Sequence, residues 1–200
     1  MTKNLTIVTI NQPNITDFAK SRNQALKQAK TDWVFFLDSD ETISPALKTT
    51  INQAIKNKNF NYQLKRQDWF LNKKLHFGET SRVKLIRLIQ PNTGQWQGRV
   101  HEIFKSNLPT KTLKHPLIHQ RNLTINQFLT KLNYYSSIRA GELSKFSIFQ
   151  LIFYPPVKFI QNYIFRFGFL DGFPGLTMAF MMSLHSLMVR IKTYELQNSR

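Results

Sequence analysis

Thr31-Asp32-Trp33-Val34-Phe35-Phe36-Leu37-Asp38-Ser39-Asp40-Glu41-Thr42-Ile43-Ser44-Pro45-Ala46-Leu47 joins an unbroken apolar run to a cluster of three acids. Apolar on both faces, Trp33–Leu37 reads as a strand buried on both sides, the pattern of a parallel sheet. The acids mark where it stops. Ser44-Pro45 then supplies a helix cap and a proline at the first helical position. Behind it Leu47, Ile51 and Ile55 recur every four residues on one helix face.

Toward the N-terminus, Phe18–Lys30 reads as a helix with Thr16 as its N-cap. Leu5–Ile10 (LTIVTI), β-branched and bounded by Asn11 and Pro13, reads as another buried strand. Strand, helix, strand and helix in succession predict an α/β unit with a parallel pairing. Toward the C-terminus, Tyr62–Phe70, Val83–Ile89 and Trp96–Phe104 read as strands, with Pro91-Asn92-Thr93-Gly94 as the turn joining the last two. Thr124 and Gln127 form a capping box for a helix running toward Leu143, and Leu123 is placed to staple onto Phe128. Composition divides the chain into an α/β part, residues 1–122, and a helical, more apolar part, residues 123–200, expected to associate with a membrane.

The totals narrow the function classes. In 200 residues, 42% hydrophobic with 17 Phe, there is material for a packed core, so a fully disordered chain is excluded. The absence of cysteine excludes disulfide scaffolds, Cys-ligated zinc and thiol catalysis. Lys and Arg outnumber Asp and Glu by 28 to 11, and the net charge of +17 calls for an anionic partner. The opening MTKNLTIVTINQPN does not look like a signal peptide, so the catalytic part is expected in the cytoplasm. From Gly172 to Val189 no formal charge occurs, which approaches spanning length. The glycines, proline, serines and histidine within that stretch favour an interfacial reading over a spanning one.

Eleven acids serve the whole chain, and three of them stand at Asp38-Ser39-Asp40-Glu41. Alternation puts Asp38 and Asp40 on one side if strand geometry persists. Carboxylates at the carboxyl end of such a strand lie where open α/β sheets bind ligands. A close pair repels unless a cation neutralises it, and oxygen ligands suit Mg²⁺ or Mn²⁺. An Asx turn, with Asp40 capping the following helix, is the structural alternative.

TDWVFFLDSDETISPAL resembles the Asp-x-Asp segment of family-2 glycosyltransferases, which have the GT-A nucleotide-diphospho-sugar transferase fold. FAKSRNQALKQAK is similar to the Arg-Asn helix that precedes that segment in the family. LIRLIQPNTGQWQGRVHEIF resembles the hairpin of a subgroup related to lipopolysaccharide-core β-glucosyltransferases, and RFGFLDGFPGLTMAF resembles that subgroup's C-terminal segment. Four motifs in family order cover nearly the whole chain. One departure stands out: only LTIVTI precedes the Arg-Asn helix, and the family's aspartate-rich nucleoside turn has no match, so the resemblance is to a shortened N-terminus.

The resemblance implies a metal-assisted, inverting transfer from a nucleotide-sugar donor to a glycan or lipid-linked acceptor in cell-envelope biogenesis. It implies that Arg22 and Asn23 face the nucleotide, and that Asp38 contacts the ribose or the metal. Asp40 would hold Mg²⁺ or Mn²⁺, and His119 would complete the metal site or touch the diphosphate. Glu102 would be the general base, since the attacking hydroxyl must lose a proton. His101 would orient Glu102 or touch a phosphate.

Between Thr42 and His101 eleven Lys or Arg face only Asp68 and Glu79, and Arg82 and Arg87 are candidate phosphate ligands. In the tail, Phe149, Phe153, Phe159, Phe165 and Phe169 interleave with Lys145, Lys158 and Arg166, which suits the headgroup boundary of an anionic membrane. Pro155-Pro156 predicts two or three short helices there. The protein is thus expected as a peripheral enzyme on the cytoplasmic face of the cell membrane. A non-catalytic membrane-associated relative of the fold, or a basic nucleic-acid binder, are the alternatives. No nucleic acid is expected, because that reading leaves the acidic turn unexplained.

Overall fold

The computed structural model describes residues 4–10, 17–98, 102–120, 124–143 and 145–199. In chain order the elements are β1 (Leu5–Ile10), α1 (Phe18–Gln28), β2 (Trp33–Asp38), β3 (Glu41–Thr42), α2 (Pro45–Ala54), β4 (Asn61–Phe70) and β5 (Lys73–Lys74). Then come β6 (Lys84–Ile89), β7 (Gly94–Gln97), β8 (Ile103–Ser106), β9 (Thr110–Thr112), β10 (Leu117–Gln120), α3 (Ile125–Glu142), α4 (Ile148–Ile160) and α5 (Gly172–Asn198). They form two units, Met1–Gln67 with Val83–Gln120, and Asp68–Arg82 with Arg121–Arg200. The spatial division thus differs from the compositional one at 122 by residues 68–82. That segment joins the helical unit because Phe70 and Leu75 pack with Phe128, Leu132 and Met178.

The first unit is a mixed α/β layer. Its curled sheet has the order β1-β2-β6-β4-β10-β3, with β9 on β4. β1 and β2 are parallel, Leu5 opposite Trp33 and Ile10 opposite Asp38, while β6 runs antiparallel to both β2 and β4. β2 explains the architecture. Trp33 and Phe35 enter a core with Leu47 and Ile51 of α2, whereas Val34 and Phe36 enter another with Ala19 and Leu26 of α1. A strand covered on both faces has to be apolar at every position. The Trp33 indole satisfies its N–H by donating to the Ile55 carbonyl at 3.0 Å.

Two local expectations change. Trp96–Phe104 is not one strand but the two arms of the β7–β8 hairpin, in which Trp96 lies opposite Phe104. The two rings meet at 5.4 Å, so aromatic pairing across the hairpin outweighs continuation of the strand. Gly94 faces Ser106 there, and any Cβ would stand 2.1 Å from the Lys105 carbonyl oxygen. The α1 cap is Asp17, which accepts from the Lys20 amide at 2.8 Å. Thr16, Leu123 and His101 lie outside the described residues.

The second unit holds α3, α4 and α5. The Thr124–Gln127 capping box forms as expected. Pro155 and Pro156 do not break α4: both lie inside it, and Ser183 donates its hydroxyl to the Pro155 carbonyl at 2.7 Å. The helix runs on into a π turn, Gln161–Phe165. The Gly168–Gly175 segment is a tight knot. A Cβ on Gly175 would lie 2.0 Å from the Gly168 carbonyl oxygen, and the Asp171 carboxylate accepts from the amides of His76 and Phe77.

Glu79 ties this unit by charge, lying 2.8 Å from Lys158 and 3.8 Å from Arg166. Burial pushes its carboxyl up, but Lys158, Asn162 and Arg166 outweigh that and hold it below the ordinary 4.5. A carboxylate with a depressed value stabilises the fold above its unfolded value and loses that contribution as pH falls through the folded one. The urea midpoint of the native chain should therefore decline more steeply below about pH 4.5 than that of Glu79→Gln. Parallel pH profiles of the two proteins would contradict this.

Candidate active site

The acidic turn lies at the carboxyl end of β2, where the strand geometry stops. Ser39 and Asp40 form a turn before β3. Strand alternation therefore does not carry through to Asp40, and Asp38 and Asp40 have different partners.

Asp38 lies between two guanidinium groups. Arg87 of β6 reaches both of its oxygens, Nη1 to Oδ1 at 3.4 Å and Nη2 to Oδ2 at 2.5 Å, while Arg22 Nη2 of α1 donates to Oδ1 at 3.2 Å. Arg87 also donates to Glu41 Oε1 at 2.6 Å, and the second Glu41 oxygen accepts from the Asp38 amide at 2.9 Å. Arg22 Nε donates to Glu102 Oε1 at 2.9 Å. Glu102, Arg22, Asp38, Arg87 and Glu41 thus form a chain of alternating charge drawn from four parts of the sequence.

The local reason for each placement is visible. Ala19, Arg22 and Leu26 occupy one face of α1, so Arg22 takes a core position and is 3% exposed. Its guanidinium lies over the rings of Phe36 and Trp96 at 5.1 and 5.0 Å, a cation–π setting for a buried charge. Arg87 is the one cation inside the apolar stretch Leu85–Ile89. Glu41 leads β3, whose pairing with β10 sets Glu41 opposite His119. The same pairing brings His119 Nε2 within 3.2 Å of Asp40 Oδ2.

Burial and mutual charge set the titration. Desolvation works against the charge on Arg87, yet Asp38 and Glu41 outweigh it and hold the guanidinium above its ordinary value. Arg22 goes the other way: burial and then the repulsion of Arg87 lower it, and Asp38 and Glu102 only partly compensate. Burial also pushes the Glu41 carboxyl up, against the pull of Arg87. Arg22 Nη1 is buried without a hydrogen-bond partner among the described residues. A buried donor of that kind is expensive to leave unmet, so the position favours an incoming oxygen ligand.

The other expected residues fall as follows. Asn23 spends both ends of its amide on the Trp96 backbone, donating to the carbonyl at 2.9 Å and accepting from the N–H at 2.8 Å. It clasps the β7–β8 hairpin to α1. A groove of about 590 Å³ runs beside this clasp, lined by Lys20, Asn23, Lys27 and Trp96 but not by Asp38 or Asp40. Arg82 is exposed on a short helical turn of the second unit and is not a member of the charge chain. Glu41 is the member that sequence reasoning left without a role; its near-total burial inside an acidic triplet is the feature that separates it from its neighbours.

The donor set fits a divalent cation in part. Asp40 and His119 stand close enough to share one, whereas both Asp38 oxygens already accept from guanidinium groups. Among the described residues no three His, Asp or Glu side chains cluster as a closed cage. Mg²⁺ is commonly held by one or two carboxylates with phosphate oxygens and water completing the shell. The arrangement suits that mode better than an all-protein site.

The curled mixed sheet with an acidic turn at its β2 end and helices following is a GT-A-like α/β fold. The chain belongs to glycosyl transferase family 2, matching that family over residues 2–101, and is a glycosyltransferase. It is also similar to the lipopolysaccharide core biosynthesis glycosyltransferase LpsC of Rhizobium meliloti (strain 1021), at 25% identity over 190 residues. That match covers 89% of this chain and 69% of LpsC.

Proposed function

We propose that the protein transfers a sugar, with inversion, from a nucleoside-diphosphate donor to a hydroxyl of a lipopolysaccharide-core glycan or another lipid-linked acceptor. It works at the cytoplasmic face of the membrane. The observation that carries this reading is Arg22: buried, bonded at once to Asp38 and Glu102, and with Nη1 left over among the described residues. One side chain thereby links the acidic turn to the carboxylate assigned to the acceptor.

In this reading the acceptor hydroxyl oxygen attacks the anomeric carbon as the bond to the diphosphate breaks. The bonding pair leaves with the diphosphate oxygen, and the hydroxyl proton passes to Glu102. Arg22 keeps Glu102 oriented and offers Nη1 to a donor oxygen. Arg87 and Glu41 hold Asp38 toward the donor ribose. A bound Mg²⁺ or Mn²⁺, held by Asp40 and His119, would neutralise the charge that builds on the leaving diphosphate. His101 remains assigned to a phosphate or to Glu102, and Arg82 to donor or acceptor phosphates. Asn23 acts at one remove, fixing Trp96 and with it the hairpin that leads to Glu102.

The stereochemistry tests the reading. With labelled nucleoside-diphosphate sugars and a lipopolysaccharide-core acceptor, NMR of the product should show the anomeric configuration opposite to that of the donor. Retention, or no transfer from any donor, would contradict it.

A further inference from the structure

On a helix that packs against a domain, the face turned to solvent is ordinarily the polar one. α4 reverses this. Pro155, on the side held by the Ser183 hydroxyl, is its single buried residue. The opposite side presents Phe149, Phe153, Val157 and Ile160, exposed by 41% to 66%. Steps of three and four keep these on one face, and the stripe continues through Ile164 and Phe165 of the π turn. So large a run of exposed apolar side chains marks a surface that is covered in use.

We propose that this face of α4 lies in the headgroup–acyl boundary of an anionic bilayer, parallel to its plane. The charge pattern selects that occupant. From Leu143 to Leu170 there is no acid, and from Lys145 to Ser199 five cations stand against Asp171 and Glu195, two of them, Lys158 and Arg166, being paired with Glu79. Asp171 is directed inward, accepting from the His76 and Phe77 amides. Lys145 is exposed at the start of α4, and Arg190 lies 4.0 Å over the ring of Tyr154, itself 52% exposed. Cations and amphipathic rings bordering an apolar stripe match an anionic lipid surface. A second copy matches it poorly, since each chain carries +17.

The geometry fits lying rather than spanning. Thirteen residues of α4 make a helix of about 20 Å, shorter than a hydrocarbon core of about 30 Å. α5 is long and apolar enough to cross a membrane by length and composition, but a third of its most apolar window is buried against the protein. This docking surface rests on the membrane location proposed above and names the side chains that make it.

The test is sedimentation of the full chain with vesicles of phosphatidylcholine alone or mixed equally with phosphatidylglycerol. The native chain should bind the anionic vesicles more tightly than the neutral ones. Phe153→Asp and Val157→Asp, at exposed positions, should each weaken that binding about tenfold or more. Lys145→Glu should weaken it without touching the stripe. All three should keep nucleoside-diphosphate binding, so a failure of docking is separable from a failure of the donor site. Unaltered vesicle binding in both Asp variants would overturn the proposal. So would a native dimer that these substitutions dissociate, or membrane-bound protein that resists extraction at alkaline pH as a spanning chain does.

Discussion

Glu102→Gln should lower kcat by about 10²–10⁴-fold, the usual contribution of a positioned base, while nucleoside-diphosphate binding persists. Glutamine keeps the shape of the side chain, and its carbonyl oxygen still accepts from Arg22 Nε across the 2.9 Å contact. What it lacks is a lone pair basic enough to take the proton of the attacking hydroxyl. The acid limb of the kcat–pH profile, which reports ionisation of that base, should disappear with it. A purely structural carboxylate would instead lower the thermal midpoint and leave the shape of the profile alone. Unchanged turnover would remove Glu102 from the chemistry.

Arg87→Met should destabilise the first unit by about 3–5 kcal/mol, the cost of breaking a buried pair by removing one partner. The Glu41 side chain is 1% exposed and has Arg87 and the Asp38 amide as its partners, so it would be left ionised in a nonpolar setting. Its carboxyl, already pushed up by burial, would be pushed further in the same direction once Arg87 no longer opposes it. Urea unfolding reads the loss. The double variant Arg87→Met with Glu41→Leu should recover most of it, because apolar replacement of both partners is often neutral or better. Donor binding should be weakened in both variants alike, since Asp38 would lack one of the two guanidinium groups that orient it. Full stability in Arg87→Met alone would show that the charge chain is not what holds the acidic turn.

The elements of the first unit were legible because their signals are local. WVFFL is apolar at every position, LTIVTI is β-branched, and Ser44-Pro45 is a helix start by chemistry alone. The charge chain was not legible in the same way. Arg22 and Glu102 are 80 residues apart and Arg87 and Asp38 are 49 apart, so their pairing is a property of the tertiary fold. Arg87, read as a phosphate ligand, turns out to hold two carboxylates. Asn23, read as facing the nucleotide, clasps a hairpin whose two arms the sequence presented as one strand. In the tail, the rule that proline breaks helices met tertiary support. α4 continues through Pro155 and Pro156 where it packs against α5, whose Ser183 donates its hydroxyl to the Pro155 carbonyl.

We propose a donor site at the acidic turn in which Asp40 governs a cation and Arg22 meets the diphosphate. Calorimetric titration of the native chain with a panel of nucleoside diphosphates, in Mn²⁺ and then in EDTA, tests it most directly. At least one nucleotide should bind in Mn²⁺, with the heat abolished by EDTA and by Asp40→Asn. Absence of binding across the panel, or binding indifferent to both the metal and Asp40→Asn, would contradict it.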